Sequence, residues 1–416
     1  MKLNNTKNHK SPLKKSAKSQ KSSVENSGKK LKKSQKVLVG FGVLGLIGGA
    51  CCLAASFLLP FDKKSEVIVA GPVVDDKKTA NNIYSKLTGA PLSSVEEVTA
   101  PAYCIQTPNG VDGARPQAGL NEAGVVFEAV AEAGITRFAA IYQNPTAAVI
   151  GPIRSLRIYY LEWDTPFDCT IVHAGGSGDA LAAVAHGYKD LTEDYSYMYR
   201  GTYGGRLWNN LFTTATDLRK MSTDRGYTSS NIDGFTRMTP EESLVSRIDA
   251  LVEEKLVIYE PSSGKTSNLN ASTSDIAINF GGYTTFNVRY NYDPAANKYL
   301  RSYATGTPHD VYNCPGNDLG EKNPEDVCQL EQMAPSVVVA MVVRESRAAD
   351  NYHEDITTTG SGDVYVFQNG TATRGTWKKA SAKEQIRFYD AKGTEIALAP
   401  GQTFVEAVPG YGSVEY

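Results

Sequence analysis

The sequence predicts an α+β fold, a membrane-anchored chain with an α/β first extracytoplasmic domain and a mainly β second domain. Three observations predict it. A run of 23 uncharged residues extends from Val37 to Leu59, strand and helix patterns alternate over residues 99–260, and short apolar runs separated by turn residues fill much of residues 261–416. With 416 residues, the chain is long enough for two globular domains of ordinary size.

The uncharged run is predicted to be part of a transmembrane helix over residues 37–61. At about 1.5 Å per residue it spans roughly 35 Å, enough to cross a hydrocarbon core of about 30 Å. A cleaved signal peptide would have a shorter apolar segment behind a shorter basic one. The remaining alternative is a lipid on Cys51, although Gly48 stands where a lipidation signal has an aliphatic residue.

Charge is segregated along the chain, and this segregation orients the helix. Residues 1–36 contain twelve Lys and one acid, a net charge of +11, whereas the whole chain carries −2. The positive-inside rule keeps this basic, disordered tail in the cytoplasm and places residues 62–416 outside. Residues 62–98 are then an extracytoplasmic tether with one short helix near residues 80–87. We interpret the tail as a topology determinant and predict no nucleic-acid partner; binding of anionic lipid or nucleic acid is the alternative.

The first domain, over residues 99–260, is predicted from buried runs and helix-start signals. Two runs with imperfect alternation flank Ala133-Gly134, which favours an antiparallel pair of strands. Gly151-Pro152 places proline where the first turn of a helix tolerates it, and Thr239 with Glu242 forms a capping box. The predicted strands cover residues 102–106, 125–132, 135–142 and 168–173, and the predicted helices cover residues 153–163, 179–186 and 240–255.

The second domain, over residues 261–416, is predicted to be mainly β. Its apolar runs are short and closely spaced, with turn residues between them. Asn369-Gly370 separates two such runs and is a strong hairpin signal, and residues 391–393 form another.

Six cysteines are too few and too scattered for a disulfide scaffold or a zinc ribbon. Cys314 and Cys328 bracket a polar loop, and outside the cell they are predicted to form a disulfide that stabilises the fold by roughly 3 kcal/mol. Cys104 and Cys169 both lie on predicted strands. For these two, a second disulfide and buried free thiols remain equal alternatives.

Polar residues concentrate between Arg115 and Ser177, in otherwise apolar surroundings. A strand, a Gly-rich turn and a helix N-terminus near residue 175 favour an anion, and arginines bind carboxylate or phosphate in bidentate fashion. The leading hypothesis is a non-enzymatic site for an anionic ligand or a glycan of the cell wall. Its predicted ligand-binding residues are Arg115, Arg137, Arg154, Ser155, Arg157, His173, Gly175, Gly176 and Ser177.

The rival hypothesis is an envelope hydrolase or transferase in which Glu128 or Glu132 is the general base and His173 the acid. It requires both carboxylates to face an open pocket, since glycosidic chemistry uses carboxylates roughly 5–9.5 Å apart. Ion pairing with the arginines is the structural alternative for these carboxylates. A third hypothesis is a scaffold that binds another envelope protein through the β-rich domain, for which a large exposed apolar patch would be typical.

No metal site and no cofactor is predicted. The histidines are dispersed without metal-ligand spacing, and the glycines near residue 175 match neither a Walker A loop nor a dinucleotide-binding fingerprint. The polar stretch His353-Glu354-Asp355 is interpreted as a solvated loop, with the lining of a cleft as its alternative. The 23 tyrosines suit saccharide stacking and a β-rich core equally well.

Several segments, in their order and spacing, resemble the YerB-like family of bacterial envelope lipoproteins. In the first domain they are ARPQAGL (residues 114–120), Glu128, EAGITRF (132–138), IGPIRSLR (150–157) and HAGGS (173–177). In the second domain they are residues 360–362, 369–370, 375–379, 393–396 and 400–403. Together these segments extend the resemblance over about residues 100–215 and 275–409.

The resemblance implies a bacterial, membrane-attached extracytoplasmic protein with an α/β first domain and a β-rich second domain. It implies no established activity. The chain departs from the family at its degenerate lipidation signal, so that a membrane-spanning anchor is expected to replace the lipid. It also has Trp208-Asn209-Asn210 where relatives have a Pro-His-Asn motif, which counts against a shared hydrolytic role at that position.

Overall fold

The structure, a computed structural model, describes residues 83–202, 209–253, 275–316 and 322–416. The predicted cytoplasmic tail, the transmembrane helix over residues 37–61, Cys51, Trp208 and the domain boundary at residue 260 lie outside the described residues. Within the described ranges, no helix combines the length and the apolar character that crossing a membrane requires.

Strands dominate the described part of the chain. They are β1 (Ala102–Pro108), β2 (Val125–Glu132), β3 (Ile135–Gln143), β4 (Thr170–His173), β5 (Asp190–Thr192), β6 (Met198–Arg200), β7 (Leu211–Thr213), β8 (Asp275–Asn279), β9 (Val288–Asp293), β10 (Lys298–Tyr303), β11 (Asp310–Asn313), β12 (Gln329–Gln332), β13 (Val337–Val343), β14 (Glu345–Arg347), β15 (Glu354–Ile356), β16 (Gly360–Gln368), β17 (Thr371–Lys379), β18 (Arg387–Asp390), β19 (Thr403–Pro409) and β20 (Ser413–Glu415). The α-helices are α1 (Ile158–Asp164), α2 (Gly178–Val184), α3 (Ala215–Asp224), α4 (Pro240–Glu253) and α5 (Pro324–Val327).

Ten of these strands form one sheet, in the order β18-β17-β16-β13-β19-β2-β3-β1-β4-β5. β19 comes late in the chain, yet it lies between β13 and β2 and pairs with both in parallel. Strands from both predicted domains therefore share one sheet, and Asp76–Tyr416 form one compact unit. The part of the chain after residue 275 is mainly β, as the sequence predicts.

The large sheet separates two cores, because successive side chains of a strand point to opposite faces. On one face, Phe127 of β2 stacks on Trp163 of α1, with ring centroids 5.4 Å apart. On the other face, Val126 packs in a core that also contains Phe138 and Phe404.

A four-stranded sheet, in the order β10-β9-β8-β20, packs on the large one. Its inward side chains, such as Ile276 and Tyr290, share a core with Val338 and Phe367 of the large sheet. This packing also brings Arg301 of β10 to the junction of β2 and β19, where it meets buried carboxyl groups.

Local signals in the sequence are confirmed. β2 and β3 are antiparallel, and their turn residues Ala133 and Gly134 have positive φ angles of 50° and 75°. β16 and β17 form the hairpin predicted at Asn369-Gly370. At the start of α4, the Thr239 N–H donates to Glu242 Oε2 (2.8 Å) and the Glu242 N–H donates to Thr239 Oγ1 (3.2 Å), the reciprocal pair of a capping box.

The helix predicted over residues 153–163 is wrong at its start, because α1 begins only at Ile158. The preceding residues are extended and pair with distant segments. The Ile153 N–H, for example, donates to the Leu211 carbonyl at 2.8 Å. Long-range backbone pairing thus overrides the helix-start signal of Gly151-Pro152.

The region predicted as a tether is folded from residue 83 onward. Tyr84 and Pro91 form a β-bridge, and Leu87 is buried in the main core. The short helix predicted near residues 80–87 is not found in its described part, where the chain makes a turn.

Two disulfides are present among the described cysteines. Cys314 and Cys328 are joined and close the polar loop between them. Cys104 and Cys169 are also joined, which ties β1 to the residue before β4 and decides between the two alternatives that the sequence leaves open.

Candidate functional site

Glu128 lies at the junction of β2 and β19, where its register partner is Glu406. Both side chains are fully buried. Arg301 donates to Glu128, and the Tyr290 hydroxyl donates to Glu406. Thr136 Oγ1 donates to Glu128 Oε1 as well, at 2.5 Å. Glu128 is therefore enclosed by residues of β3, β10 and β19.

Glu406 is the second carboxyl group of this buried cluster. Burial, and after it the charge of Glu128, raise the pKa of Glu406 well above its ordinary range. Glu128 and Glu406 share the positive charge of the Arg301 guanidinium, and this pairing makes the common burial of the three groups tolerable.

Arg115, predicted to bind a ligand, is half-buried and is held by residues of the interior. Its guanidinium lies 3.6 Å from the centroid of the Tyr303 ring. Its Nε donates to Asn109 Oδ1 at 2.8 Å, and its Nη1 donates to the Thr285 carbonyl. Asn109 in turn donates to Glu128 Oε1, so Arg115 extends the Glu128 cluster and lies apart from the other predicted arginines.

His309 completes this network, although the sequence gives no signal for it. Its Nδ1 accepts from Arg301, and its Nε2 lies 3.0 Å from Gln117 Oε1, so the proton resides on Nε2. Burial, followed by the charges of Arg301 and Arg115, lowers the pKa of His309 well below its ordinary value. His309 is thus a neutral, fully occupied structural residue.

Glu132, Arg137 and Arg157 form a second cluster, at the end of the β2–β3 hairpin. Arg137 Nη2 lies 2.7 Å from Glu132 Oε1, and Arg157 Nη2 lies 2.7 Å from Glu132 Oε2. Both arginines are buried, and Arg137 also donates to the Ser155 carbonyl. Burial opposes ionisation of Glu132, but the charges of Arg137 and Arg157 outweigh it and lower its pKa.

The hydrolase hypothesis in its predicted form does not fit this arrangement. It requires Glu128 and Glu132 to face an open pocket, whereas Glu128 is enclosed and both oxygens of Glu132 are bound by guanidinium groups. The structural alternative, ion pairing with the arginines, describes both residues.

His173 is not placed to act as an acid. The ring is buried, with Nδ1 2.8 Å from the Gly175 carbonyl and Nε2 2.9 Å from Asp190 Oδ1. Both nitrogens therefore face acceptors within the protein. The Gly175 carbonyl also accepts from the Leu156 N–H, and Ser155 Oγ donates to the Ala174 carbonyl, so this turn is held by its own backbone.

Arg154 differs from Arg137 and Arg157 in that it does not share the ion pair with Glu132. Its Nε is buried without a hydrogen-bond partner among the described residues, as are the Nε atoms of Arg137 and Arg157. Burial, and then the charge of Arg137, lower its pKa, while Glu132 has the opposite effect. Arg154 therefore adds a positive charge beside the Glu132 cluster without closing a further ion pair in the described part of the chain.

One cleft brings predicted ligand-binding residues of the first half of the chain together with the polar stretch His353-Glu354-Asp355 of the second half. This Arg157 cleft, of about 380 Å³, lies between the start of α2 and the connection from β14 to β15. The predicted residues Arg157 and Ser177 line it, and the Ser177 hydroxyl is buried without a partner among the described residues. Its other charged lining residues are Asp179, Asp350, His353, Glu354 and Asp355.

The charge of the Arg157 cleft argues against an anionic ligand. Four carboxylates line it against one guanidinium and one imidazole, and the imidazole of His353 is already bound to Asp350. The stretch His353-Glu354-Asp355 thus lines a cleft, the alternative to its interpretation as a solvated loop. Across the described residues, no group of three or more His, Cys, Asp or Glu is arranged to hold a metal ion.

A second cleft, of about 490 Å³, lies on the other side of the β14–β15 hairpin. Tyr283 and Tyr411 line this Tyr411 cleft and are 64% and 62% exposed, so large aromatic surfaces face the opening. Gly281, with φ of 75°, allows the Tyr411 ring to lie against the backbone, because a Cβ there would be 2.2 Å from the ring. Glu354 lines both clefts.

Glu345 of β14 is the titratable residue of interest in the Tyr411 cleft. Its Oε1 accepts from the Tyr411 hydroxyl at 2.5 Å, and its Oε2 is buried without a partner among the described residues. Burial, and to a smaller extent the charge of Glu354, raise the pKa of Glu345 to about 7. Sequence reasoning misses Glu345, since it stands in an ordinary polar segment and its Tyr411 partner is 66 residues away.

Comparison with known proteins supports the family resemblance. Residues 87–228 match the N-terminal domain, and residues 276–405 the C-terminal domain, of the DUF3048 proteins of unknown function. The putative lipoprotein YerB of Bacillus subtilis (strain 168) is 26% identical over 337 residues, which cover 80% of this chain and 88% of that protein.

A solved structure gives the same picture at the level of the fold. The crystal structure of the YerB protein from Bacillus subtilis matches with a TM-score of 0.62 and 22% identity, over 80% of this chain and all of that one. The matched domains account for most of the described residues. The chain therefore belongs to the YerB-like DUF3048 family, and the resemblance seen in its sequence is confirmed.

Proposed function

We propose that this protein is held in the cell envelope by its N-terminal segment and binds a glycan in the clefts beside the β14–β15 hairpin. Three observations support the location. The relative is named a putative lipoprotein, a tail of charge +11 precedes 23 uncharged residues, and the folded part contains two disulfides of the kind that persist in oxidising compartments.

The main observation in favour of a glycan ligand is that exposed tyrosines and carboxyl groups line the same cleft. Tyr283 and Tyr411 offer ring faces on which the apolar face of a sugar can stack. Glu345 and Glu354 offer oxygens that accept hydrogen bonds from hydroxyl groups. Volumes of about 380 and 490 Å³ suit one small ligand or sugar unit each. The excess of carboxylates favours a glycan over the anionic ligand that is the other part of the sequence hypothesis.

Calorimetric titration of the full-length protein with soluble peptidoglycan fragments and with polyphosphate tests the ligand. We expect the fragments to bind and polyphosphate not to bind. Tyr283→Ala should weaken fragment binding about tenfold through the loss of one stacking surface. Tyr195→Ala removes a similarly exposed ring outside both clefts and should leave the affinity unchanged. Absence of binding, or equal affinity after Tyr283→Ala, would refute the proposal.

The location has a separate test. In intact cells, Cys104, Cys169, Cys314 and Cys328 should resist alkylation by a thiol reagent unless a reductant is added first, because all four are in disulfides. Mass spectrometry of the labelled peptides measures this directly. Recovery of the protein from the cytosol with these cysteines alkylated would contradict an envelope location.

A further inference from the structure

We propose that the Tyr411 cleft hydrolyses a glycosidic bond, with Glu345 as the general acid and Glu354 as the general base. This inference rests on the proposed glycan binding and adds a reaction to it. It assigns the chemistry to residues other than Glu128, Glu132 and His173, whose polar atoms are occupied within the protein.

Strand pairing places the two carboxyl groups on one face of the hairpin. In the β14–β15 register, Glu345 is opposite Ile356 and Arg347 is opposite Glu354, so Glu345 and Glu354 are diagonal neighbours. The Cα atoms of diagonal positions on one face lie about 7–8 Å apart, and side chains that stand roughly perpendicular to the strands keep a similar separation. Inverting glycosidases separate their carboxyl groups by roughly 6.5–9.5 Å, which leaves room for a water molecule. Both residues line the same cleft of about 490 Å³.

The surroundings of the two carboxyl groups differ in the way that an acid and a base require. Glu345 is held through Oε1 by the Tyr411 hydroxyl, while its buried Oε2 has no partner among the described residues. That oxygen is the one left to carry the proton of the acid form, and the side chain must turn it toward the cleft for it to reach a substrate. Glu354, by contrast, has a cationic neighbour, since Arg347 Nη2 lies 3.5 Å from its Oε1.

The charged and titratable groups around Glu345 come from several elements. Tyr411, Glu354 and Arg347 face it within the cleft, and Tyr159 of α1 interacts with it from the core. Burial and Glu354 raise the pKa of Glu345, to about 7, and this outweighs the opposing effects of Tyr411 and Arg347. A substantial fraction of Glu345 is therefore protonated at neutral pH.

The reaction uses water as its second substrate. Glu345 transfers its proton to the glycosidic oxygen as the bond from that oxygen to the anomeric carbon breaks. A water molecule attacks the anomeric carbon from the opposite face and gives a proton to Glu354. The products are a free alcohol and a reducing-end sugar of inverted configuration. Proton exchange with solvent then returns Glu345 to the acid form and Glu354 to the carboxylate.

The walls of the cleft define the substrate class. Tyr283 and Tyr411 provide stacking surfaces for pyranose rings. Gly134, Gly281 and Gly282 line the same cleft and add no side chain that would fill it. The cleft therefore suits a neutral or amino-sugar polysaccharide chain rather than a phosphate-bearing polymer.

The test combines binding and turnover in the full-length protein. Purified peptidoglycan glycan strands and chitotetraose serve as probes, with calorimetry for binding, a reducing-end assay for cleavage and proton NMR for the anomeric configuration. Glu345→Gln and Glu354→Gln should each lower turnover by about 100-fold or more and change the affinity by less than about threefold. Glu241→Gln, an exposed residue of α4, is the matched control and should leave both unchanged. Turnover should fall as the pH rises above about 7, as Glu345 loses its proton.

The possible outcomes distinguish failure of the hydrolase inference from failure of the proposed glycan binding. Binding of a probe without release of reducing ends would overturn the hydrolase inference and leave the proposed glycan binding in place. Absence of binding by both probes would refute both. Undiminished turnover in Glu345→Gln, or a product of retained configuration, would overturn the assigned roles even where cleavage occurs.

Discussion

Replacement of Arg301 by Met is expected to lower the free energy of unfolding by about 3–5 kcal/mol. Arg301 is fully buried and donates to Glu128, and its Nε lies 3.7 Å from Glu406 Oε1. Methionine retains much of the apolar packing but leaves the Glu128 carboxylate buried without a cation. Urea denaturation of the full-length protein measures the change, followed by the fluorescence of the buried Trp163 and Trp377.

The control is Arg374→Met. Arg374 pairs with Asp363 on the surface, where both side chains are more than half exposed, so its replacement should leave the free energy of unfolding nearly unchanged. Adding Glu128→Gln to Arg301→Met should recover part of the lost stability, because it removes the uncompensated charge. A loss below about 1 kcal/mol for Arg301→Met would contradict the role given to this cluster.

Glu132→Gln is expected to lower the free energy of unfolding by about 3 kcal/mol at pH 7, since it leaves Arg137 and Arg157 buried without their shared carboxylate. The pKa of Glu132 is lowered in the folded protein. Its contribution is therefore present above its ordinary pKa of 4.5 and is lost as the pH falls through the lower, folded-state value. The difference between wild type and Glu132→Gln should shrink accordingly below about pH 4.5.

Urea denaturation at a series of pH values measures this difference. Glu241→Gln, at an exposed position, should show no such pH dependence relative to wild type. A Glu132→Gln protein as stable as wild type at pH 7 would show that the two arginines do not need the carboxylate.

Elements specified by neighbouring residues were predictable from the sequence. The β2–β3 turn at Ala133-Gly134 and the capping box of Thr239 each depend on groups within a few residues of one another. The start of α1 was not predictable in this way, because the residues after Pro152 bond to β7 and to other distant segments. The position of β19 between β13 and β2 likewise depends on pairing between residues far apart in the chain, such as Thr403 with Val337 and with Val125, which no local pattern indicates.

The candidate site, too, was predictable only where its residues are close together in the sequence. For Glu132, Arg137 and Arg157 the sequence leaves a ligand site and an ion-pair network as alternatives, and the folded structure shows that the two arginines pair with Glu132. The cationic partner of Glu128 is Arg301, 173 residues away. The acidity of Glu345 depends on burial and on Tyr411, which the hairpin approaches only in the folded protein. Residue types thus predict where charge concentrates, and only the fold decides which charges are satisfied.

Because β19 is synthesised late but lies at the centre of the large sheet, its position affects how the chain folds during translation. Until residues 403–409 leave the ribosome, β2 and β13 lack the strand that lies between them, and both present unpaired backbone groups. A nascent or truncated polypeptide is thereby exposed to edge-to-edge self-association. Assembly of the central sheet must therefore wait until residues 403–409 have been synthesised, and termination of translation before residue 403 would yield an aggregation-prone product.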